Sequence, residues 1–456
     1  MDSHNPSDSE DDGGAKVGTE EPKPTLETLP AELRDQLLLH IPDLPTLRSA
    51  IHASPVLHAQ YYSNRNTLLR SCLDRELHGF LVDAYACVMS RAGVLGSPRT
   101  DEIITTFLDN YRGWLDGSIP CPDLDSTDPG YVRWMAAFHL SVARPLARLF
   151  SEWALTNLQE AVTTNSVVPP ADQTEDIQLS TSEEIRIFRA LYRFQTFQHL
   201  FGRNNSRRQG MFLKAEINEI FFCHFDPWEV EAIACIYEFV EQKYEDIFAR
   251  VRGDLHPTNE RFRLPNGVFN PEGSVDLDLE HDDYMDGTIS RGLKITARLL
   301  TIDPADHNTL VTKMQRCLTH HPNTDEPMKK ALWTVAQFSR RESSTHPTPN
   351  PRDEAQDQRE PMDFLGDVVP PDGKPPLGWV LLWGGVYSNI YGEYTPPSLK
   401  RWGYVMWDEK RWISWGPDAK ELVHHQWNAF PERVDEIYND FDWIPAGLPQ
   451  RATPEV

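Results

Sequence analysis

The chain has 456 residues, 39% hydrophobic and 25% charged, which fits two or three folded domains or one large helical body with appendages. Forty-four Lys and Arg against 69 Asp and Glu leave a formal charge of −25, which disfavours nucleic-acid partners and anionic membranes. The longest apolar run, near residues 379–386, is far short of the roughly 20 residues a membrane-spanning helix needs. The acidic N-terminus lacks an apolar core of the signal-peptide kind. The six cysteines form no C-x-x-C pair, so reduced thiols in a cytoplasmic or nuclear protein are expected.

Residues 1–25 are polar, rich in Asp and Glu and poor in large apolar side chains, and are expected to form a disordered acidic tail. Residues 26–75 then carry three short helical patterns punctuated by prolines. Leu29-Pro30 opens the first, with proline where a missing N–H costs nothing, and Leu33, Leu37, Leu38 and Ile41 recur at helical spacing. Pro42 and Pro45 stop that helix and start the next, whose apolar side carries Leu44, Leu47, Ala50 and Ile51. Ser54-Pro55 repeats the device as a cap and first-turn proline, ahead of Val56, Leu57 and Tyr61. Helices this short are unstable alone in water and must bury their stripes on one another or on something else.

At these residues the chain resembles the F-box, in the divergent form common in fungal proteins. The resemblance lies in LPxEL at Leu29, Pro30, Glu32 and Leu33, a leucine-rich first helix, a proline break, L-x-x-L at Leu44 and Leu47, and the SPVLHAQY ending. Leu57 stands where many F-boxes have Trp. The resemblance spans about a tenth of the chain. It implies that Leu29, Pro30, Glu32, Leu33, Leu37, Ile41, Leu44 and Leu47 dock a Skp-family adaptor and, through it, a cullin scaffold. The chain would then be the substrate-recognition subunit of an SCF-type ubiquitin ligase, with the ubiquitin chemistry on partner subunits and no catalytic group, metal or cofactor of its own.

Residues 76–342 read as an irregular helical body. A long amphipathic helix is expected to run from about residue 64 to 90, with further helices over 99–115 and 131–161, the latter bent or interrupted at Pro145. Ser180-x-x-Glu183 is a capping box, and Asp226-Pro227-x-Glu229 starts another helix by the same logic. Asp303-Pro304 and residues 324–327 open two more. No spacing repeats at a fixed period, so no TPR, leucine-rich or propeller array is read.

Residues 343–376 shift to Pro, Asp, Glu, Gln and Arg, the composition of a linker or long surface loop. Residues 377–456 form an aromatic-rich segment expected to pack on the helical body, since eight of the thirteen tryptophans fall between 379 and 443. Strand-like runs at 403–407 and 411–415 around Asp408-Glu409-Lys410 predict a small β-hairpin, and two short helices are expected near 419–428 and 432–439. The fold class is therefore mainly α with one small hairpin. Trp402, Trp407, Trp412 and Trp415 are the candidate substrate-binding residues, because Trp, Tyr and Arg most often supply binding hot spots.

Motifs for chemistry are few. Residues 272–287 hold seven carboxylates and one His, but neither EF-hand register places glycine and the twelfth-position glutamate together, so the run reads as a solvated acidic loop. The adjacent pairs His320-His321 and His424-His425 lack the spacing of a two-ligand helix. No nucleophile elbow, phosphate-binding loop or dinucleotide fingerprint occurs. Lys400-Arg401-Trp402 and Lys410-Arg411-Trp412 fit ring-on-stem packing better than base stacking. Two other readings stand beside the ligase subunit: a structural or scaffold protein whose F-box-like helices belong to its own fold, and an enzyme with an unrecognised site.

Overall fold

The computed structural model describes residues 25–96, 99–165, 178–202, 212, 216–217, 220–263, 271–320, 328, 362–371, 373–385, 395–415 and 423. Among them the chain is helical with irregular connections and has no extended strand, in keeping with the mainly α expectation. The tail up to residue 24, residues 343–361 of the 343–376 loop and nearly all of the helices expected near 324, 419–428 and 432–439 lie outside the described residues. No helix among the described residues is long and apolar enough to cross a membrane.

The N-terminal segment forms α1 (Ala31–Leu39), α2 (Leu44–Ala53) and α3 (Pro55–Glu76), with the prolines placed as the sequence indicates. Asp43 Oδ1 accepts the Thr46 N–H at 2.7 Å, and Ser54 Oγ accepts the Leu57 N–H at 3.3 Å. The expected long helix over 64–90 is instead two. α3 ends at Glu76 and α4 (Leu81–Met89) follows a turn in which Gly79 has φ +86°. A Cβ there would lie 2.6 Å from Ile185 Cδ1, so glycine serves both the left-handed turn and the close approach. Amphipathic spacing continues across this turn because both pieces bury the same side, which is why periodicity alone missed the break.

Next come α5 (Ala92–Leu95), α6 (Asp101–Asp116) and α7 (Pro129–Phe138), which runs through five π-helical residues, His139–Ala143, into α8 (Arg144–Asn165). Pro145 has no N–H to give Ser141, and the widened turns just before it absorb that interruption. The two capping boxes then open the central pair, α9 (Thr181–Leu200) and α10 (Pro227–Leu255). Beyond them lie α11 (His281–Ile289), α12 (Leu293–Leu300) and α13 (His307–Cys317). α13 starts three residues after the Asp303-Pro304 turn, where Asp306 Oδ1 accepts the Thr309 N–H at 3.1 Å.

α9 is the axle. Fifteen of its 20 residues are buried, so it has no solvated face and its polar groups must find partners on every side. Gln195 Oε1 accepts the Leu293 N–H at 2.8 Å, and Arg193 reaches Asp83 on α4 and Glu229 on α10. The C-terminal segment completes this core with α14 (Leu377–Trp383), α15 (Pro397–Arg401) and α16 (Glu409–Ser414).

The expected hairpin at 403–407 and 411–415 is corrected: the first run is a buried turn and the second lies mostly in α16. The backbone bonds are local, with Gly403 N–H on Lys400 O at 3.0 Å and Met406 N–H on Gly403 O at 2.8 Å. Asp408 then stands at the cap position, its carbonyl accepting the Trp412 N–H at 3.2 Å, so Asp408-Glu409 begins a helix rather than a tight strand connection. The segment does pack on the body. Trp379 meets Trp228 of α10 edge-on at 5.9 Å, and Tyr404 O–H donates to Glu231 Oε2 at 3.2 Å. A Cβ on Gly378 would collide with the Tyr404 carbonyl.

At the π-helical turns, His139 is fully enclosed, 1% exposed, with Nδ1 3.0 Å from the Tyr192 hydroxyl. Burial, with help from Arg144, pushes its pKa down to about 3, so the 3.3 Å approach to Glu76 Oε2 is made by a neutral ring and is not an ion pair. A histidine pKa below its unfolded value near 6.5 gives stability that is complete above that pH and is lost as pH falls toward about 3. Glu76 and Glu231, raised by burial, act in the opposite direction, so the effect must be read as a difference. Between pH 8 and pH 5.5, the stability gap between wild type and His139→Gln should narrow by about 1.4 kcal/mol. A gap that stays constant in urea titrations at both pH values would contradict a neutral His139.

Candidate interaction surface

The N-terminal helices are stitched together by side chains. Asp35 on α1 accepts from Gln60 Nε2 at 2.6 Å and Asn64 Nδ2 at 2.7 Å on α3, and Arg34 donates to the Leu29 carbonyl at 2.6 Å. Ser54 Oγ donates to Glu27 Oε1 at 2.6 Å, tying the lead-in turn to the start of α3. The exposed carbonyls at the end of α1 are covered from α3: Arg75 donates to Leu39 O at 3.1 Å and Ile41 O at 2.5 Å. Glu76 Oε1 accepts both the Leu44 N–H at 2.9 Å and the Arg144 guanidinium at 2.8 Å, joining the three helices to α8.

This packing divides the adaptor candidates. Pro30 and Glu32 are exposed, Leu33 is 52% exposed, and Leu29 and Leu37 are half-buried. Ile41, Leu44 and Leu47 are 7%, 3% and 1% exposed and belong to the continuous core, so in this conformation they anchor α1 and α2 to the chain itself. Leu26 and Tyr62, 54% and 73% exposed, add apolar surface to the same segment. Beside α1, an open groove is lined by Arg34, Pro55, Val56, Ala59, Gln60 and Ser63. Of these, Pro55, Val56, Ala59 and Gln60 fall in the SPVLHAQY ending, which signalled a helix start rather than a groove.

The second candidate set is placed differently. Trp402 and Trp412 are 2% exposed and Trp407 is fully buried, so three of the four tryptophans are core; Trp415 is half-buried. They are held there by a polar clamp. Glu183 of the α9 capping box binds Arg411 through Nε at 2.7 Å and Nη2 at 2.6 Å, and accepts the Asp408 N–H at 3.1 Å. Asp408 in turn takes hydrogen bonds from Ser180 and Ser182 and an ion pair from Arg186 at 2.7 Å. Burial alone would raise the Asp408 carboxyl, but these donors outweigh it and hold its pKa down.

In the acidic stretch, one group among the described residues, His256, Asp276 and Asp278, brings ligand-type atoms within 4.8 Å of one another. His256 Nδ1 lies 3.2 Å from the Thr258 N–H and Nε2 lies 3.7 Å from Asp276 Oδ2, while Arg252 pairs with Asp278 at 3.0 Å. His320 pairs with Asp283 at 3.5 Å, while His321, His424 and His425 lie outside the described residues. All six cysteines are free thiols. No family model, curated protein or solved structure matches this chain.

Proposed function

We propose that the chain is the substrate-recognition subunit of an SCF-type ubiquitin ligase, docking a Skp-family adaptor, and through it a cullin scaffold, with its N-terminal helices. The observation that carries this reading is the three-helix unit with its Pro30–Glu32–Leu33 edge facing solvent beside an open groove. In this reading the chain supplies orientation, and the bond-forming groups belong to its partners. The helical body and C-terminal segment would carry the substrate.

One observation favours a scaffold protein instead. Ile41, Leu44 and Leu47 are buried within the chain, and α3 runs on for 22 residues to end against α8 through Glu76, so the three helices are also part of a larger fold. The two readings part at the exposed edge. The Pro30→Ala, Leu33→Ala double variant should keep its helical signal and melting behaviour while losing at least about tenfold in affinity for the adaptor, because a few anchors carry most of an interface's energy. Unchanged affinity, or no co-purification of wild-type chain with adaptor, leaves the scaffold reading.

A further inference from the structure

In a chain of formal charge −25 an arginine should find a carboxylate easily, and those of α9 do. Arg91, between α4 and α5, and Arg133 on α7 differ: both are half-buried, and neither makes an ion pair with a described carboxylate. The Arg91 guanidinium lies 4.4 Å over the Trp134 ring and makes no hydrogen bond to a described residue. Burial pulls its pKa below the ordinary arginine value. Arg133 has one neutral hydrogen bond, from Nη1 to Asn66 Oδ1 at 3.2 Å. Just ahead of α7, Asp123 accepts the Ser126 N–H and Asp128 the Gly130 N–H, each at 2.6 Å, and neither pairs with Arg133.

A third such cation lies deeper. Arg99 is 1% exposed and donates to the Ser90 carbonyl at 2.8 Å and to the His199 carbonyl, while its Nε finds no acceptor. The His199 ring in turn lies 6.2 Å from Trp134. Burial first, then Arg99 and Arg91, push the His199 pKa down to about 3, so two guanidiniums act on one point beside that tryptophan. The inner face of α7 is Val132, Met135, Ala136 and Phe138, which leaves Gly130, Arg133, Trp134 and Ala137 on its open face. Trp134 stacks on Phe138 with centroids 4.9 Å apart, which fixes the ring, and the small Gly130 and Ala137 leave room beside it. A fixed, half-buried tryptophan between arginines is the composition of a binding hot spot.

We propose that the open face of α7, with Arg91 beside it, binds an acidic segment of a partner polypeptide. Trp134 takes an apolar side chain of that segment, and Arg91 and Arg133 take its carboxylates. A peptide fits better than a nucleic acid, because the formal charge of −25 repels a polyphosphate along its whole length, whereas an acidic peptide can space its charges with apolar side chains. In the ligase reading this face would hold a substrate, but the binding does not depend on that reading, and the assay contains no adaptor. Fluorescence anisotropy on the full chain compares a labelled peptide of alternating Glu and Leu, its counterpart with Lys in place of Glu, and single-stranded oligothymidylate. The acidic peptide should bind about tenfold or more tighter than either, and less tightly as NaCl is raised. Trp134→Ala should weaken it by about tenfold. The double variant Arg91→Glu, Arg133→Glu breaks no ion pair with a described carboxylate, so it should melt near wild type and still weaken the acidic peptide by at least about tenfold, which keeps the test decisive if Trp134→Ala fails to fold. Equal binding of the Lys peptide, tighter binding of oligothymidylate, affinity indifferent to the double variant, or no binding of the acidic peptide at millimolar concentration would each overturn the assignment.

Discussion

Replacing Arg193 with Met is expected to cost about 3–5 kcal/mol of folding stability, the range for removing one partner of a buried ion pair. The guanidinium is 3% exposed, bonded to Asp83 and Glu229, and lies 4.3 Å over the Phe225 ring. Burial by itself would pull its pKa down, but the two carboxylates outweigh burial and hold it raised. Without the cation, Asp83, which is 2% exposed, keeps only the Tyr111 hydroxyl at 2.5 Å as a strong donor from this network. The cost therefore arises from a stranded charge more than from a lost attraction. The double variant Arg193→Met, Asp83→Asn should regain a large part of the loss, because it strands no charge at that position. Urea titrations at pH 7 measure both. A single variant within about 1 kcal/mol of wild type would mean that α4, α9 and α10 are joined by apolar packing alone.

Local backbone chemistry was legible in the sequence. Ser54-Pro55, Ser180-x-x-Glu183 and Asp226-Pro227-x-Glu229 each stand where a helix begins, and Pro145 stands where helical turns widen, because caps and prolines act within four residues of themselves. What covers an apolar stripe was not legible. Leu33 and Leu44 each fall on the apolar stripe of a helix, yet one is half exposed and the other is core, since the difference depends on α3 and on Glu76 accepting the Leu44 N–H. The burial of the α9 arginines Arg186, Arg189 and Arg193 had no signal in the sequence. They turn inward because their carboxylate partners, Asp83, Glu229, Asp367 and Asp408, come from segments up to 222 residues away in sequence, which no local pattern reports. The hairpin failed for a related reason. Trp, Tyr and Val favour strands because strands offer half-buried surfaces, and a turn wedged between α8, α9 and α10 offers the same burial without a ladder.

That wedge makes Trp407→Ala the second large effect, an expected loss of about 3–5 kcal/mol in stability. The ring is fully buried. It stacks on Phe150 of α8 with centroids 6.4 Å apart and planes 21° apart, and Phe150 in turn meets Phe239 of α10 edge-on at 5.7 Å. Its Nε1–H donates to the Trp402 carbonyl at 2.5 Å, and the Arg411 guanidinium sits 5.5 Å from the ring. Alanine would leave a cavity, an orphaned carbonyl and an arginine whose remaining hold is Glu183 and the Gln178 carbonyl. Trp415, half-buried, serves as the control, and its alanine variant should cost no more than about 1 kcal/mol. Thermal and urea unfolding of the two variants distinguish the roles. If Trp407→Ala unfolds like wild type but no longer captures a partner, the ring works at a surface and the buried turn is not the binding conformation. If it destabilises as expected, a substrate must be held by other side chains, and the tryptophans of 402–412 serve to fix the C-terminal segment against α9.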